Sequence, residues 1–153
     1  MSEPETRPRY ERVLAVLAAR VILALIFFMA GWWKVFELGP LEHARRLFVG
    51  PYAKTFLPDW SLWATGTTIP IVELIAGAFL LIGFRTREAL YALGGVLILV
   101  TFGHLLLEPL YEFHTHVIPR LALLLFVLVM PRDQDRVSVD AWLESRGMRG
   151  HPA

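Results

Sequence analysis

The sequence predicts an all-α integral membrane four-helix bundle, with both termini cytoplasmic and a short amphipathic helix in the first outer loop. Three observations predict it. Of 153 residues, 56% are hydrophobic, above the ~45–50% of a soluble domain. The apolar residues gather into four runs, most of them near the ~20 residues that cross a bilayer. Arginines collect at particular ends of those runs, as they do beside cytoplasmic loops. Only helices and closed barrels satisfy their backbone in lipid, and four such runs are too few and too long for barrel strands.

The first run extends from about Val13 to Phe36. Arg20 interrupts it early and the run then continues, so it reads as a span and not as a cleaved leader. The second runs from about Leu62 to Phe84 and the third from about Ala89 to Leu110. The fourth is shorter, Phe113 to Met130, and Pro119 near its start predicts a kink. Residues 1–12 form a cytoplasmic segment, 13–130 the membrane domain, and 131–153 a cytoplasmic tail with a helical turn or two around Val139 to Leu143.

Orientation follows from the basic residues. Arg7, Arg9 and Arg12 precede the first span, Arg85 and Arg87 separate the second and third, and Arg132, Arg136, Arg146 and Arg149 follow the fourth. The stretch from Leu110 to Val117 has none. Arg45, Arg46 and Lys54 after the first span run the other way, but the balance predicts both termini inside. In that long loop, Leu41, Ala44, Leu47 and Phe48 recur at helical spacing opposite Glu42, His43, Arg45 and Arg46, which predicts a helix lying on the membrane surface and ended by Gly50-Pro51. Trp32, Trp33, Tyr52, Trp60, Trp63 and Tyr111 are the expected outer aromatic belt.

Charges inside such runs are the informative residues, because a charge in hydrocarbon costs at least ~2.5–3.5 kcal/mol and normally pairs or faces a cavity. Counting ~1.5 Å per residue from the nearest basic end puts Arg20 ~12 Å deep, and Glu73 and Arg120 ~18 Å deep. One carboxylate between two guanidiniums is the expected network. It serves either to lock helices together or to handle a quinone or protons. A second polar group lies nearer the outside: His104 and Glu108 are four apart, His114 and His116 open the fourth span, and Lys34 closes the first. Lys34 is expected to snorkel outward or to pair with Glu37 or Glu108. The histidines suit a quinone head group or proton transfer, or plain interfacial polarity. A bis-histidine haem from His104 and His116 fits less well, and no bound metal is expected. Gly31, Gly77, Gly83, Gly94, Gly95 and Gly103 are candidates for close helix contact.

Composition excludes several classes. There is no broad basic face for nucleic acid. Cysteine is absent, which removes disulfides, a thiol relay and cysteine-held clusters. No covalently bound cofactor is expected, and any redox role needs a bound quinone or a partner subunit.

Arg20, Gly31-Trp32-Trp33-Lys34, Pro70-Ile71-Val72-Glu73-Leu74-Ile75-Ala76-Gly77 and Gly83-Phe84-Arg85-Thr86-Arg87 together resemble the DoxX/DoxD-like family of small four-helix bacterial membrane proteins. The likeness covers about residues 10 to 130. The matching features are an arginine and a G-x-x-K ending in helix one, an E-x-x-x-G in helix two, and a G-x-x-T-R-type turn. The long first loop and the histidines lie outside that pattern. The resemblance implies a multi-pass protein of the bacterial inner membrane, N-in/C-in, whose polar signature is Arg20, Lys34, Glu73 and Arg87. Relatives include a subunit of a thiosulfate:quinone oxidoreductase and members of sulfur-handling assemblies. Three roles are therefore expected in order: a quinone-linked or sulfur-linked subunit of an oxidoreductase, a non-enzymatic accessory subunit of a larger complex, and a small oligomeric transporter. The bilayer and other membrane subunits are the expected partners.

Overall fold

The computed structural model describes residues 7–109, 112–131 and 134–147, and every element among them is helical. Helix α1 spans Arg7–Trp32 and runs straight on into a π-helical segment, Trp33–Leu38. After Gly39 come α2 (Pro40–Ala44), a second π-helical segment (Arg45–Val49) and α3 (Gly50–Tyr52). Then follow α4 (Asp59–Ile82), α5 (Thr86–Leu107), α6 (Val117–Val129) and α7 (Val139–Ser145). Three helices are long and apolar enough to cross a membrane: Tyr10–Leu38, Asp59–Ile82 and Thr86–Leu107. The fourth apolar helix, α6, has 13 residues, about 20 Å at 1.5 Å per residue. The expected kink at Pro119 does not form, because Pro119 falls in the first turn of α6, where a missing N–H breaks no helical bond.

The core lies among α1, α4, α5 and α6, around Leu23, Ala24, Phe27, Leu80, Leu90, Leu93 and Leu124. The outward faces are equally apolar: Ile22, Met29, Ile75, Ile98, Leu125 and Val129 are all exposed. A helix apolar on every side belongs in lipid, so this surface is read as facing acyl chains.

Helices α1 and α4 make the most extensive pair, and two glycines set their approach. A Cβ at Gly31 would lie 2.5 Å from the Leu74 nitrogen; one at Gly77 would lie 2.6 Å from the Phe28 nitrogen. These are reciprocal contacts of one crossing, each a side-chain-free patch against the other helix's backbone. Gly94 and Gly95 play no such part: the nearest atom to a Cβ at Gly94 is 3.9 Å away, and at Gly95 there is open space.

The first loop departs from expectation. Gly50-Pro51 does not end the helix, which continues to Tyr52 because Gly50 is right-handed helical and Pro51 stands in a first turn. One side of the segment packs on α4. Ala44 and His43 are buried against α4, where Ala44 nests on Gly66. Tyr52 is buried too, with its hydroxyl against Gly103, and so leaves the aromatic belt, whereas Trp32, Trp33, Trp60 and Trp63 are exposed. Tyr111 lies outside the described residues.

The reason for the burial of His43 is Pro70. Inside α4, Pro70 has no N–H for the Gly66 carbonyl one turn earlier, and an unmet carbonyl is costly away from water. His43 Nδ1 lies 2.7 Å from that oxygen, so Nδ1 carries the hydrogen and donates it. His43→Leu is expected to cost ~1–3 kcal/mol. In a Pro70→Ala background, where residue 70 supplies the bond, the cost should fall by more than half. Thermal unfolding in detergent of the four-protein cycle checks this, and equal costs in both backgrounds would refute the link.

At the opposite end, α4 closes on Gly83, left-handed at φ 68°. Gly83 N–H donates to the Leu80 carbonyl and Phe84 N–H to that of Phe79, 2.8 Å, while the Phe79 and Phe84 rings meet edge to face at 5.2 Å. This is a Schellman ending with its hydrophobic contact. Arg85, also left-handed at φ 47°, then starts α5. The tail docks here. Asp140 accepts from Arg85 N–H and Thr86 N–H, each at 2.9 Å, capping α5, and Asp140 N–H donates to the Gly83 carbonyl. The expected helical turn or two around Val139 to Leu143 forms as α7, fixed to the α4–α5 turn.

Candidate functional site between the long helices

The expected Arg20–Glu73–Arg120 network does not form as one unit. Arg20 is 1% exposed and is held at the tail end of the bundle. Its guanidinium donates to the Leu80 carbonyl at 2.5 Å, the Leu81 carbonyl at 3.2 Å, the Val137 carbonyl at 2.6 Å and the Asp135 carboxylate at 3.1 Å. Leu80 and Leu81 are among the last carbonyls of α4, which lack helical partners and sit at the negative end of the helix dipole. Burial holds the Asp135 carboxyl above its ordinary range, although Arg20 pulls it down. The depth count misplaced Arg20 because α1 starts at Arg7 and extends ~20 Å, at 1.5 Å per residue, before reaching the level where α4 ends. Glu73 lies seven residues, ~10 Å, further along α4 from Leu80.

Glu73 pairs instead with Lys34. Lys34 Nζ donates to Glu73 Oε2 at 2.5 Å, with the carboxylate side chain 7% and the ammonium side chain 21% exposed. Lys34 thus neither snorkels nor pairs with Glu37 or Glu108. Two local features aim it inward. Gly31 lets the end of α1 press against Glu73 and Leu74. The π-helical segment that holds Lys34 turns by more than 3.6 residues, a rare form frequent at functional sites.

The pair lines a cavity of ≈ 200 Å³ between α1, α4, α5 and α6. Phe27, Val96, Leu97, Val100 and Val117 form its apolar wall; Lys34, Glu73, His104, His116 and Arg120 form its polar part. The cavity thereby joins Glu73 and Arg120 of the first expected group with Lys34, His104 and His116 of the second. Arg120 lies over the Phe27 ring at 5.9 Å, a cation–π distance. His116 Nδ1 is 2.7 Å from the Thr115 hydroxyl. Glu108 and His114 are absent from the lining. Glu108, the C-cap of α5, is exposed, with its N–H still bonded to the His104 carbonyl. His114 is exposed beside Glu112 at 3.9 Å. Arg87 sits half-buried in the first turn of α5, at the tail end.

Among the described residues no group of three or more histidine, cysteine or acidic side chains is placed to hold a metal. The donor set has another chemistry. Cations and imidazoles surround one carboxylate, over an apolar wall, which suits a flat, partly polar head group with oxygen acceptors.

Fold and site define an all-helical membrane protein with a small polar cavity inside its bundle. The chain belongs to the DoxX family: the family's model matches residues 15–105. That stretch contains Arg20, Lys34, Glu73 and His104, and stops before His116 and Arg120. No curated protein matches the chain, and no solved structure does.

Proposed function

We propose that this DoxX-family protein binds a quinone or quinol head group in the cavity between α1, α4, α5 and α6, as the quinone-linked membrane subunit of an oxidoreductase assembly. In this reading all four apolar helices cross a bacterial inner membrane with both termini in the cytoplasm, as the arginine distribution favours. The observation that carries the proposal is one cavity where an apolar wall meets ionisable side chains from four separate elements. A bound quinone supplies two-electron, two-proton redox chemistry. Lys34, Arg120 and His116 supply N–H donors for carbonyl oxygens, and Glu73 is the acceptor for a hydroxyl hydrogen. His104 and His116, on the same wall, carry protons away from Glu73. Phe27, Val96 and Val100 exclude water around the ring. Electrons pass to a partner subunit, since the chain has no cysteine to hold a cluster.

The test is equilibrium binding of 2-methyl-1,4-naphthoquinone to the purified chain in nanodiscs. Glu73→Gln, which keeps shape and loses charge, and Lys34→Met should each weaken binding by ~10-fold or more, the weight of a charge-assisted hydrogen bond. Unchanged affinity in both variants rejects the site. Absence of quinone binding together with a stable co-purifying subunit would favour the accessory role instead.

A further inference from the structure

Two arginines inside the bundle are treated differently. Arg20 meets three carbonyls and a carboxylate. For Arg120, on α6, the described residues offer an aromatic face and no hydrogen-bonding oxygen. Yet a guanidinium carries five donors, and this one opens on a cavity in which the only lining carboxylate among the described residues, Glu73, is already matched by Lys34 at 2.5 Å. His104 and His116 add no negative charge, and Glu108, which acts on His104, stands exposed outside the lining. The charge balance of the cavity is one unmatched cation. In an apolar setting such a charge strongly favours an anionic partner.

We infer that Arg120 makes this site select quinones whose ring carries a negative charge, such as ionised hydroxyquinones, over neutral quinones. The inference rests on the quinone reading above and names the substrate class within it. A neutral carbonyl accepts a hydrogen bond from Arg120 but leaves its charge uncompensated. An ionised ring hydroxyl accepts the same bond and cancels the charge. Phe27, Val100 and Val117 give the half-buried Arg120 an apolar flank.

The experiment compares 2-hydroxy-1,4-naphthoquinone, ionised at pH 7, with 2-methyl-1,4-naphthoquinone, binding each to the full chain in nanodiscs. The hydroxyquinone should bind the unmodified protein ~10-fold tighter or more. Arg120→Gln should weaken the hydroxyquinone ~10–100-fold and the neutral ring by less, since the neutral ring loses a hydrogen bond but no charge pairing, so that the preference between the two rings disappears. Arg120→Lys, which keeps the charge without the fork, should retain part of the preference and serves if Arg120→Gln does not assemble. Equal binding of the two rings by the unmodified protein overturns the inference and leaves the quinone reading standing. So does a preference that survives in Arg120→Gln. Failure of both rings to bind overturns both readings.

Discussion

Arg20→Ala is expected to free residues 134–147 from the bundle and to destabilise the protein by ~3–5 kcal/mol, the usual result of removing one partner from a buried ionic cluster. The physical reason is the number of groups left behind. The Leu80, Leu81 and Val137 carbonyls and the Asp135 carboxylate all lose a donor, in a site that is buried at Leu80 and part-buried at the others. Asp135 should respond in its own titration. Burial already holds its carboxyl above the ordinary range, so this group favours folding below its unfolded pKa and loses that contribution as pH rises through its folded one. Without Arg20 the opposing pull disappears, the folded pKa rises further, and the variant should be hurt more at neutral than at acid pH. Thermal melting in detergent across pH, with limited proteolysis of the tail, checks both statements. A protected tail and an unchanged melting temperature would refute the role given to Arg20. Arg20→Lys should recover little, because one ammonium cannot fork to four acceptors on two chain segments.

Gly77→Ala is the second large effect, and its contrast with Gly95→Ala makes it specific. At Gly77 the added carbon meets the Phe28 backbone nitrogen at 2.6 Å and Cα at 2.8 Å, and backbone inside a helix cannot step aside. Overpacking of this kind costs ~1–3 kcal/mol or more. It should also push α1 off α4 at the level where Lys34 reaches Glu73, so quinone affinity should fall along with stability. At Gly95 nothing lies within 4 Å, and the same change should be neutral or stabilise by up to ~1 kcal/mol through helix propensity. Melting temperatures of the two variants, measured side by side, decide it; similar values would show that the crossing is looser than the distances imply.

These residues also show what can be read from a sequence of this kind. Apolar periodicity and length were enough to place α1, α4 and α5 within a few residues, because a lipid-exposed helix must be apolar all round. The spacings G-x-x-K and E-x-x-x-G were visible, and the structure supplies their physical meaning. Gly31 and Gly77 bring two backbones together, and Lys34 and Glu73, one turn from each, meet across that contact. Depth was the poor guide. Residue counting assumes that helices start at a common plane, and α1 begins well beyond the turn that closes α4, so Arg20 falls at an end and Lys34 takes its place beside Glu73. The pairing of Arg20 with residues 135–137 joins positions 115 or more apart and carries no local signal. The His43 contact had a signal that went unread: a proline inside a membrane helix frees the carbonyl four residues before it, and a donor elsewhere in the chain must meet it.

The clamp at the tail end has a consequence for synthesis. Asp135, Val137 and Asp140 leave the ribosome after all of the long helices, yet they complete hydrogen bonds on α1, the end of α4 and the start of α5. Until they emerge, the α4–α5 turn, which holds Arg85 in a left-handed conformation, has unmet polar groups. A chain that stops short of residue 135 therefore leaves this turn uncovered, with the Gly83 carbonyl and the Arg85 and Thr86 N–H groups lacking their Asp140 partner.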